Sequence, residues 1–232
     1  MRGKASTVLP LGLVLICLGA ALLTACGSSS SRYRFIQAST SVPNNVDLQV
    51  DGKSVQTGIL FGQSGTYHQI SGGSHKFELF ATGTTINPYI SASVSLEKGD
   101  TTVIAENPFS SITLAPYTDD NTAPTTGNAK LRIIHASPSA GSIDVYVVTS
   151  GSGIAGVNPQ IPGLTYPNAT NQYLSLSAGN YDVIMTISGT QNILGNLTGT
   201  YNLTSGQIRT LVVLDAQTGG GTFQQLELND LN

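Results

Sequence analysis

The chain repeats itself, and the repeat limits what it can fold into. "RFIQAST" at residues 34–40 returns as "RIIHASP" at 132–138, and "VDLQV" at 46–50 as "IDVYV" at 143–147. "ISGGSHKFEL" at 70–79 returns as "LSAGNYDVIM" at 176–185, and "LEKGDTTVIA" at 96–105 as "LTSGQIRTLV" at 203–212. The order is kept while the offset drifts from 97 to 107, so the second copy carries insertions. A period near 100 residues implies duplicated domains and not a solenoid, whose units run to about 20–50 residues. Each copy is therefore expected to close a core of its own.

Within each copy the pattern is that of strands. Tyr181, Val183, Met185 and Ile187 alternate with Asp182, Ile184, Thr186 and Ser188, and Phe77, Leu79 and Ala81 do the same in the first copy. β-Branched residues crowd "TTVIAE" and "RTLVVLD". "SGGS" and "AGN" fall between strands, where glycine favours tight hairpins. No amphipathic helical stretch of useful length follows Cys26. The expectation is an all-β protein of two tandem small antiparallel β-sandwiches, immunoglobulin-like or transthyretin-like. The first sandwich is assigned to 32–117 and the second to 129–232. A linker at 118–128 separates them, marked by Pro124, Gly127 and Asn128 and by the loss of apolar periodicity.

The first residues belong to export and not to the fold. Arg2 and Lys4 precede an apolar run from Val8 to Leu23, shorter than the about 20 residues of a membrane span. Residues 1–25 are expected to be a signal peptide. The sequence Leu23-Thr24-Ala25-Cys26 resembles the lipobox of bacterial lipoproteins. The resemblance implies cleavage before Cys26 and acyl chains on Cys26 that anchor the protein to a membrane, with residues 26–31 as tether. Two or more chains are needed to hold a protein stably on a bilayer. Gly27, where an Asp would favour the inner membrane, implies the outer membrane of the bacterial envelope by the same resemblance. Cys17 lies in the leader, so the mature chain has no pair of cysteines to join. Without Arg2 and Lys4 it holds 8 basic and 13 acidic residues, a net charge of −5, and no basic patch for nucleic acid.

A second resemblance covers nearly all of 32–229. Arg132, His135-Ala136-Ser137-Pro138, then Asp144-Val145-Tyr146, then Ala178-Gly179-Asn180-Tyr181 are similar to the motifs of the bacterial domain of unknown function 4397. The first copy departs from them with Gln37 for the His, Thr40 for the Pro and Gln49 for the Tyr. The resemblance implies an exported, repeated, sandwich-like domain, often on lipoproteins. It implies no reaction.

His135, Ser137 and Asp144 are the residue types of a hydrolase triad. On a strand His135 and Ser137 would point the same way about 6.6 Å apart. Yet Ser137 stands before Pro138 with no Gly-x-Ser-x-Gly elbow. The competing expectation is structural: Ser137 caps a turn, His135 hydrogen-bonds at a strand end, and Asp47 and Asp144 fix strand entry. No catalytic residue is assigned. His68 and His75 would share a face if Gly72-Gly73 were a hairpin turn, but a zinc site wants three or four ligands and no third is evident. Asp119-Asp120-Asn121 lacks the spacing of a calcium loop. No metal or cofactor is expected.

Tyr occurs 9 times and Trp never, which weakens a sugar-stacking reading without removing it. The insert Gly151–Asn171 is the candidate contact loop. Tyr146, Tyr166, Tyr173, His135 and Asp144 form the candidate ligand surface. The leading functional expectation is a membrane-anchored, non-catalytic binding or envelope-structural module, not an enzyme, with an envelope protein or glycan as partner. A cell-wall or carbohydrate-binding accessory is the second reading, and a hydrolase using the His135 region the third.

Overall fold

The computed structural model describes residues 1, 3, 30–169 and 173–230. All of the expected signal peptide except residues 1 and 3, together with Cys26 and most of the tether, lies outside the described residues. The described chain is all-β. In the first half, one four-stranded sheet holds β4 (His68–Ser71), β1 (Ser30–Gln37), β7 (Gly99–Glu106) and β8 (Thr113–Asp119) in that order. Its partner sheet holds β3 (Lys53–Ile59), β2 (Val46–Val50), β5 (Gly73–Ala81) and β6 (Ile90–Leu96).

The second half repeats this plan. One sheet holds β9 (Asn128–His135), β16 (Ile208–Leu214) and β17 (Gln224–Asn229), with β12 (Asn168–Ala169) and β13 (Leu174–Ser177) sharing the far edge of β9. The other holds β11 (Ile161–Leu164), β10 (Ile143–Thr149), β14 (Gly179–Ile187) and β15 (Gly199–Leu203). Each half packs its two sheets over its own apolar cluster. Phe35, Leu48, Phe77 and Val103 lie in the first, and Ile133, Val145, Met185 and Leu211 in the second. Burying such a side chain contributes about 1.5–3 kcal/mol.

Two features depart from a simple antiparallel sandwich. The central pairs β1–β7 and β9–β16 are parallel. Their burial patterns, eBiBBBBB for β1 and eBBBBBBB for β7, show no alternation, because both faces are covered. That accounts for the continuous β-branched runs in "TTVIAE" and "RTLVVLD". The inner faces meet each half's own core. The outer faces meet each other: Ile36, Ala38 and Ile104 pack against Ile134, Ala136, Val212 and Leu214 in a third apolar cluster. The two sandwiches are thus joined sheet to sheet.

The second departure concerns the glycine turns. "SGGS" and "AGN" are corners and not hairpins. β4 pairs with β1 while β5 pairs with β2 and β6, so the chain changes sheet between Ser71 and Gly73. β13 and β14 change sheet in the same way, to β9 and to β10 and β15. Gly73 takes φ +130 at its corner, a backbone that side chains resist. β1 starts at Ser30, and β8 runs on to Asp119, leaving residues 120–127 as the connection between halves.

Candidate functional site

The outer faces of β1 and β9 carry equivalent arginines, Arg34 and Arg132, and these organise the contact between halves. Arg34 lies beside Thr102 in the β1–β7 register, and Arg132 beside Thr210 in the β9–β16 register. Each Nε donates to its threonine, at 2.8 Å and 3.2 Å. Each guanidinium then reaches across to the other half, Arg34 to Asp230 and Arg132 to Asp119. Each also stacks on a tyrosine of its own half, Arg34 4.9 Å from the Tyr67 ring and Arg132 4.8 Å from that of Tyr173. Tyr67 donates to Asp119 at 2.6 Å and Tyr173 to Asp230 at 3.3 Å. Thr210 donates to Asp230 at 2.6 Å and Thr102 to Asp119 at 2.8 Å. Repeated surfaces that meet in this reciprocal manner follow the logic of an isologous dimer interface, built here within one chain.

Burial disfavours the Arg132 cation, but Asp119, Tyr173 and Asp230 around it more than compensate and raise its pKa. Burial also pushes the Tyr67 and Tyr173 phenols up, so both act as neutral donors. Repeat alignment gave the signal for this cluster. Arg34 and Arg132 head the same motif, and Tyr67 and Tyr173 precede the same strand. Sequence reasoning missed it because the carboxylate partners stand at strand ends with no motif around them.

His135, Ser137 and Asp144 are each engaged elsewhere. His135 is fully buried; its Nδ1 accepts from the Ser137 N–H at 3.3 Å and its Nε2 lies 2.7 Å from the Gly141 carbonyl. A carbonyl only accepts, so the ring is the neutral tautomer with the proton on Nε2. Burial lowers its pKa, against the opposing pull of the Gly141 bond and of Asp215. Ser137 Oγ donates to Asp215 and accepts from the Ala140 N–H at 3.3 Å. Asp144 accepts from the Gly163 N–H, Ser188 Oγ and the Gly189 N–H at 2.7, 2.9 and 2.8 Å. Those bonds outweigh the burial that opposes them and hold the carboxyl below its ordinary range. Asp47 does the same in the first half, with the Gly58 N–H, Thr82 Oγ1 and the Gly83 N–H. Gln37, standing where His135 would, accepts from the Ser39 N–H through Oε1 at 3.3 Å. The two halves therefore build the same corner with different side chains.

The candidate ligand tyrosines are distributed and mostly covered. Tyr146 is 4% exposed and packs with Val148, Ile154 and Ile184. Part of the insert folds back over β10 and β14, which explains why Tyr146 replaces the less covered Gln49 of the first half. Tyr173 lies under Arg132. Tyr166 reaches the first half, where it donates to Asn107 Oδ1 at 2.8 Å, and its ring sits 6.3 Å from that of His135. The structure does not gather these residues into one surface. Beside Tyr166, Glu106 is 1% exposed; burial raises its pKa to about 7 even though Tyr117 donates to it at 2.6 Å.

His68 and His75 fall on different sheets, contrary to the hairpin expectation. His68 packs 5.7 Å from the Tyr33 ring. His75 places Nδ1 2.7 Å from Asp51 and Nε2 2.9 Å from the Ser71 carbonyl, so both nitrogens are occupied. Among the described residues no group of three or more His, Cys, Asp or Glu is placed to hold a metal ion.

An open cleft of about 520 Å³ lies beside the connection between halves, lined by Arg32, Gln69, Asp100, Asp120 and Asn121 among others. Arg32 forms a two-pronged bond to Asp100, both arms 2.7 Å. Lys130 donates to Asp120 at 2.6 Å. Asn121 Nδ2 donates to Asp100 at 2.7 Å, while Asn121 Oδ1 is buried and accepts no hydrogen bond among the described residues.

No curated protein matches the chain. Among solved structures it is similar to the Bacillus anthracis TIE protein, at 11% identity and TM-score 0.27 over 80% of this chain, and it spans 34% of that one. It is similar also to a streptococcal structure described as alpha-glucan recognition by family 41 carbohydrate-binding modules from virulence factors. There the identity is 7% and the TM-score 0.27, over 84% of this chain and 96% of that one. At those scores neither likeness bears on function. The family model of the domain of unknown function DUF4397 matches residues 31–146, from β1 to the middle of β10, which is half of the 232 residues. The chain belongs to the DUF4397 family.

Proposed function

We propose that this protein is a lipid-anchored, non-catalytic module of the bacterial cell envelope, made of tandem sandwiches at 32–117 and 129–232 that act as one rigid binding body. The observation that carries the reading is the commitment of its reactive side chains. His135, Ser137, Asp144 and Asp215 direct their hydrogen bonds to backbone and neighbouring loops, and the buried arginines to the opposite half. An acyl-transfer relay needs a serine bonded to the histidine that takes its proton; here Ser137 Oγ bonds Asp215 instead. The lipobox at Leu23–Cys26 supports the anchor, with Cys26 as the acylated residue and the outer membrane as its site. No helix of the described residues is long and apolar enough to cross a membrane.

Two measurements test the reading. Radiolabelled palmitate is expected to enter the wild-type chain in a bacterial host and not Cys26→Ser; label in the variant removes the anchor. Ester hydrolysis above background that disappears in Ser137→Ala would remove the non-catalytic assignment. The second reading, a glycan-binding accessory, is favoured by the open cleft where the exposed Gln69 amide and Arg32 guanidinium can bond hydroxyl groups.

A further inference from the structure

The two halves lie sheet to sheet with their central strands ending together. β1 and β7 are parallel, and so are β9 and β16. The chain leaving them turns at one end of the molecule. There the Ser41 N–H after β1 donates to the Gln217 carbonyl after β16 at 2.7 Å, and Tyr166, beside the end of β9, reaches Asn107 after β7. The outer sheets open on the same end, where Ile59 and Ala81 pair with Val46 at the start of β2, and Ile187 with Ile143 at the start of β10. Met1 apart, every large apolar side chain that is exposed among the described residues lies at this end. Leu60 follows β3, Ile86 stands in the β5–β6 connection at 72% exposed, and Phe109 follows β7. Ile187 closes β14, and Ile193 lies in the β14–β15 connection, the counterpart of the one that holds Ile86.

The connections at this end carry no exposed charge. Residues 38–45, 60–67, 82–89, 107–112, 136–142, 165–167, 188–198 and 215–223 include one charged side chain, Asp215, which is buried and bonded to Ser137. Asp47, Glu106 and Asp144 stand just behind, held by backbone N–H groups or by Tyr117. Asp51, Lys53, Glu97, Lys98 and Asp120 lie in or beside the connections at the opposite end, where Ser30 begins β1. Single exposed apolar residues are ordinary on a protein surface. Five gathered at one uncharged end mark a contact surface.

Their spacing points to the occupant. The β5–β6 and β14–β15 connections cap the two outermost of four stacked sheets, so Ile86 and Ile193 stand about 30 Å apart at roughly 10 Å per sheet gap. Small polar residues such as Ser41, Thr218 and Gly220 lie between them. A protein interface has the inverse plan, an apolar centre within a polar rim, and a protein partner would need a separate pocket for each tip. A bilayer needs none, because apolar material lies beneath every point of its flat polar surface. An end without charge fits zwitterionic headgroups, whereas anionic ones repel a chain whose net charge beyond the leader is −5.

We propose that this end is a membrane-contact surface, which seats its apolar tips in a neutral, zwitterionic bilayer. The inference rests on the reading of the chain as an envelope binding module and names the partner surface. The anchor sets the direction of contact. Four residues carry the chain from Cys26 to Ser30, a reach of about 14 Å at most. β1 alone spans about 26 Å. A protein held through Cys26 therefore cannot seat all five tips in the membrane that holds it, and they face a second one.

Both apolar cores close within residues 30–230, so the test uses the chain from Gly27 onward, which has neither leader nor acyl chain. The measurement is flotation with phosphatidylcholine vesicles, and with mixed phosphatidylcholine–phosphatidylglycerol vesicles, at low and high salt. The expected result is flotation with the neutral vesicles that salt does not change, and weaker flotation with the mixed ones at low salt. Ile86→Asp combined with Ile193→Asp is expected to lower the partition coefficient by roughly tenfold or more with its melting curve unchanged. Lys98→Ala, at the opposite end, should partition as the wild type does. Ile86→Asp alone gives the same reading should the double variant not fold. No flotation with neutral vesicles overturns the inference. Flotation undiminished in the aspartate variants overturns the assignment of this end. Binding that needs the anionic lipid and is lost at high salt overturns the neutral chemistry. A dimer in sedimentation equilibrium that the double variant dissociates, without flotation, overturns the bilayer in favour of a second copy. Palmitate labelling and ester hydrolysis on the full chain decide the wider reading independently.

Discussion

Arg34 and Asp230 stand 196 positions apart in the chain and form a fully buried ion pair. Its counterpart, Arg132 with Asp119, spans only 13 positions but crosses the same boundary in the opposite direction. Buried pairs of this kind stabilise little relative to well-packed apolar residues, but removing one partner leaves a charge stranded. Asp230→Ala is therefore expected to destabilise by about 3–5 kcal/mol, and Asp119→Ala by a similar amount. Arg34→Met combined with Asp230→Leu should recover most of the loss. Denaturant melts of the single and double variants measure this. Equal costs for single and double changes would show that the pairing does not couple the halves.

His135 and Gln37 occupy equivalent corners, and both accept from the N–H two residues ahead. His135→Gln is expected to cost about 1 kcal/mol, for the lost bond to Gly141. His135→Ala strands both the Ser137 N–H and the Gly141 carbonyl and should cost about 3 kcal/mol. Comparing the two melting midpoints checks the assignment. A cost for Gln as large as that for Ala would show that the corner needs an imidazole.

Glu106 should make stability fall with rising pH. Its unfolded pKa is about 4.3, and burial raises it to about 7 in the folded protein. Between those values the folded state keeps a proton that the unfolded state has lost. The stability is fully present below about pH 4 and is lost as pH rises through about 7, an order of 3 kcal/mol by pH 8. The depressed carboxylates such as Asp144 act in the opposite sense, losing stability only as pH falls below the ordinary carboxylate range. Glu106→Gln should flatten the decline between pH 5 and 8. An unaltered slope in thermal melts across that range would remove Glu106 as its source.

Tyr146 and Gln49 are paired by the repeat but differ in cover. Tyr146→Ala opens a hole beneath the insert and should cost about 3–5 kcal/mol, whereas Gln49→Ala should change stability by less than about 0.5 kcal/mol. Hydrogen exchange at Ile154 and Val157 is expected to speed up in the first variant only. Unchanged protection there would mean that the insert holds its place without Tyr146.

Sequence alone determined the strand content, the duplication and the two apolar cores, because side chains on a strand alternate and the alternation is visible in "YDVIMTIS". It also marked Asp47 and Asp144 as strand-entry residues, since an aspartate beside a turn has few partners but backbone N–H groups. Tertiary structure alone decided which strands are neighbours. "ISGGSHKFEL" has the local chemistry of a hairpin, yet its strands part because each finds a partner far along the chain. It alone decided that β1, β7, β9 and β16 are covered on both faces, for the second cover is the other half of the protein. The arginine pairs follow from that: a guanidinium carried into such an interface needs a carboxylate, and no local pattern says which of the 13 acidic residues will be brought to it.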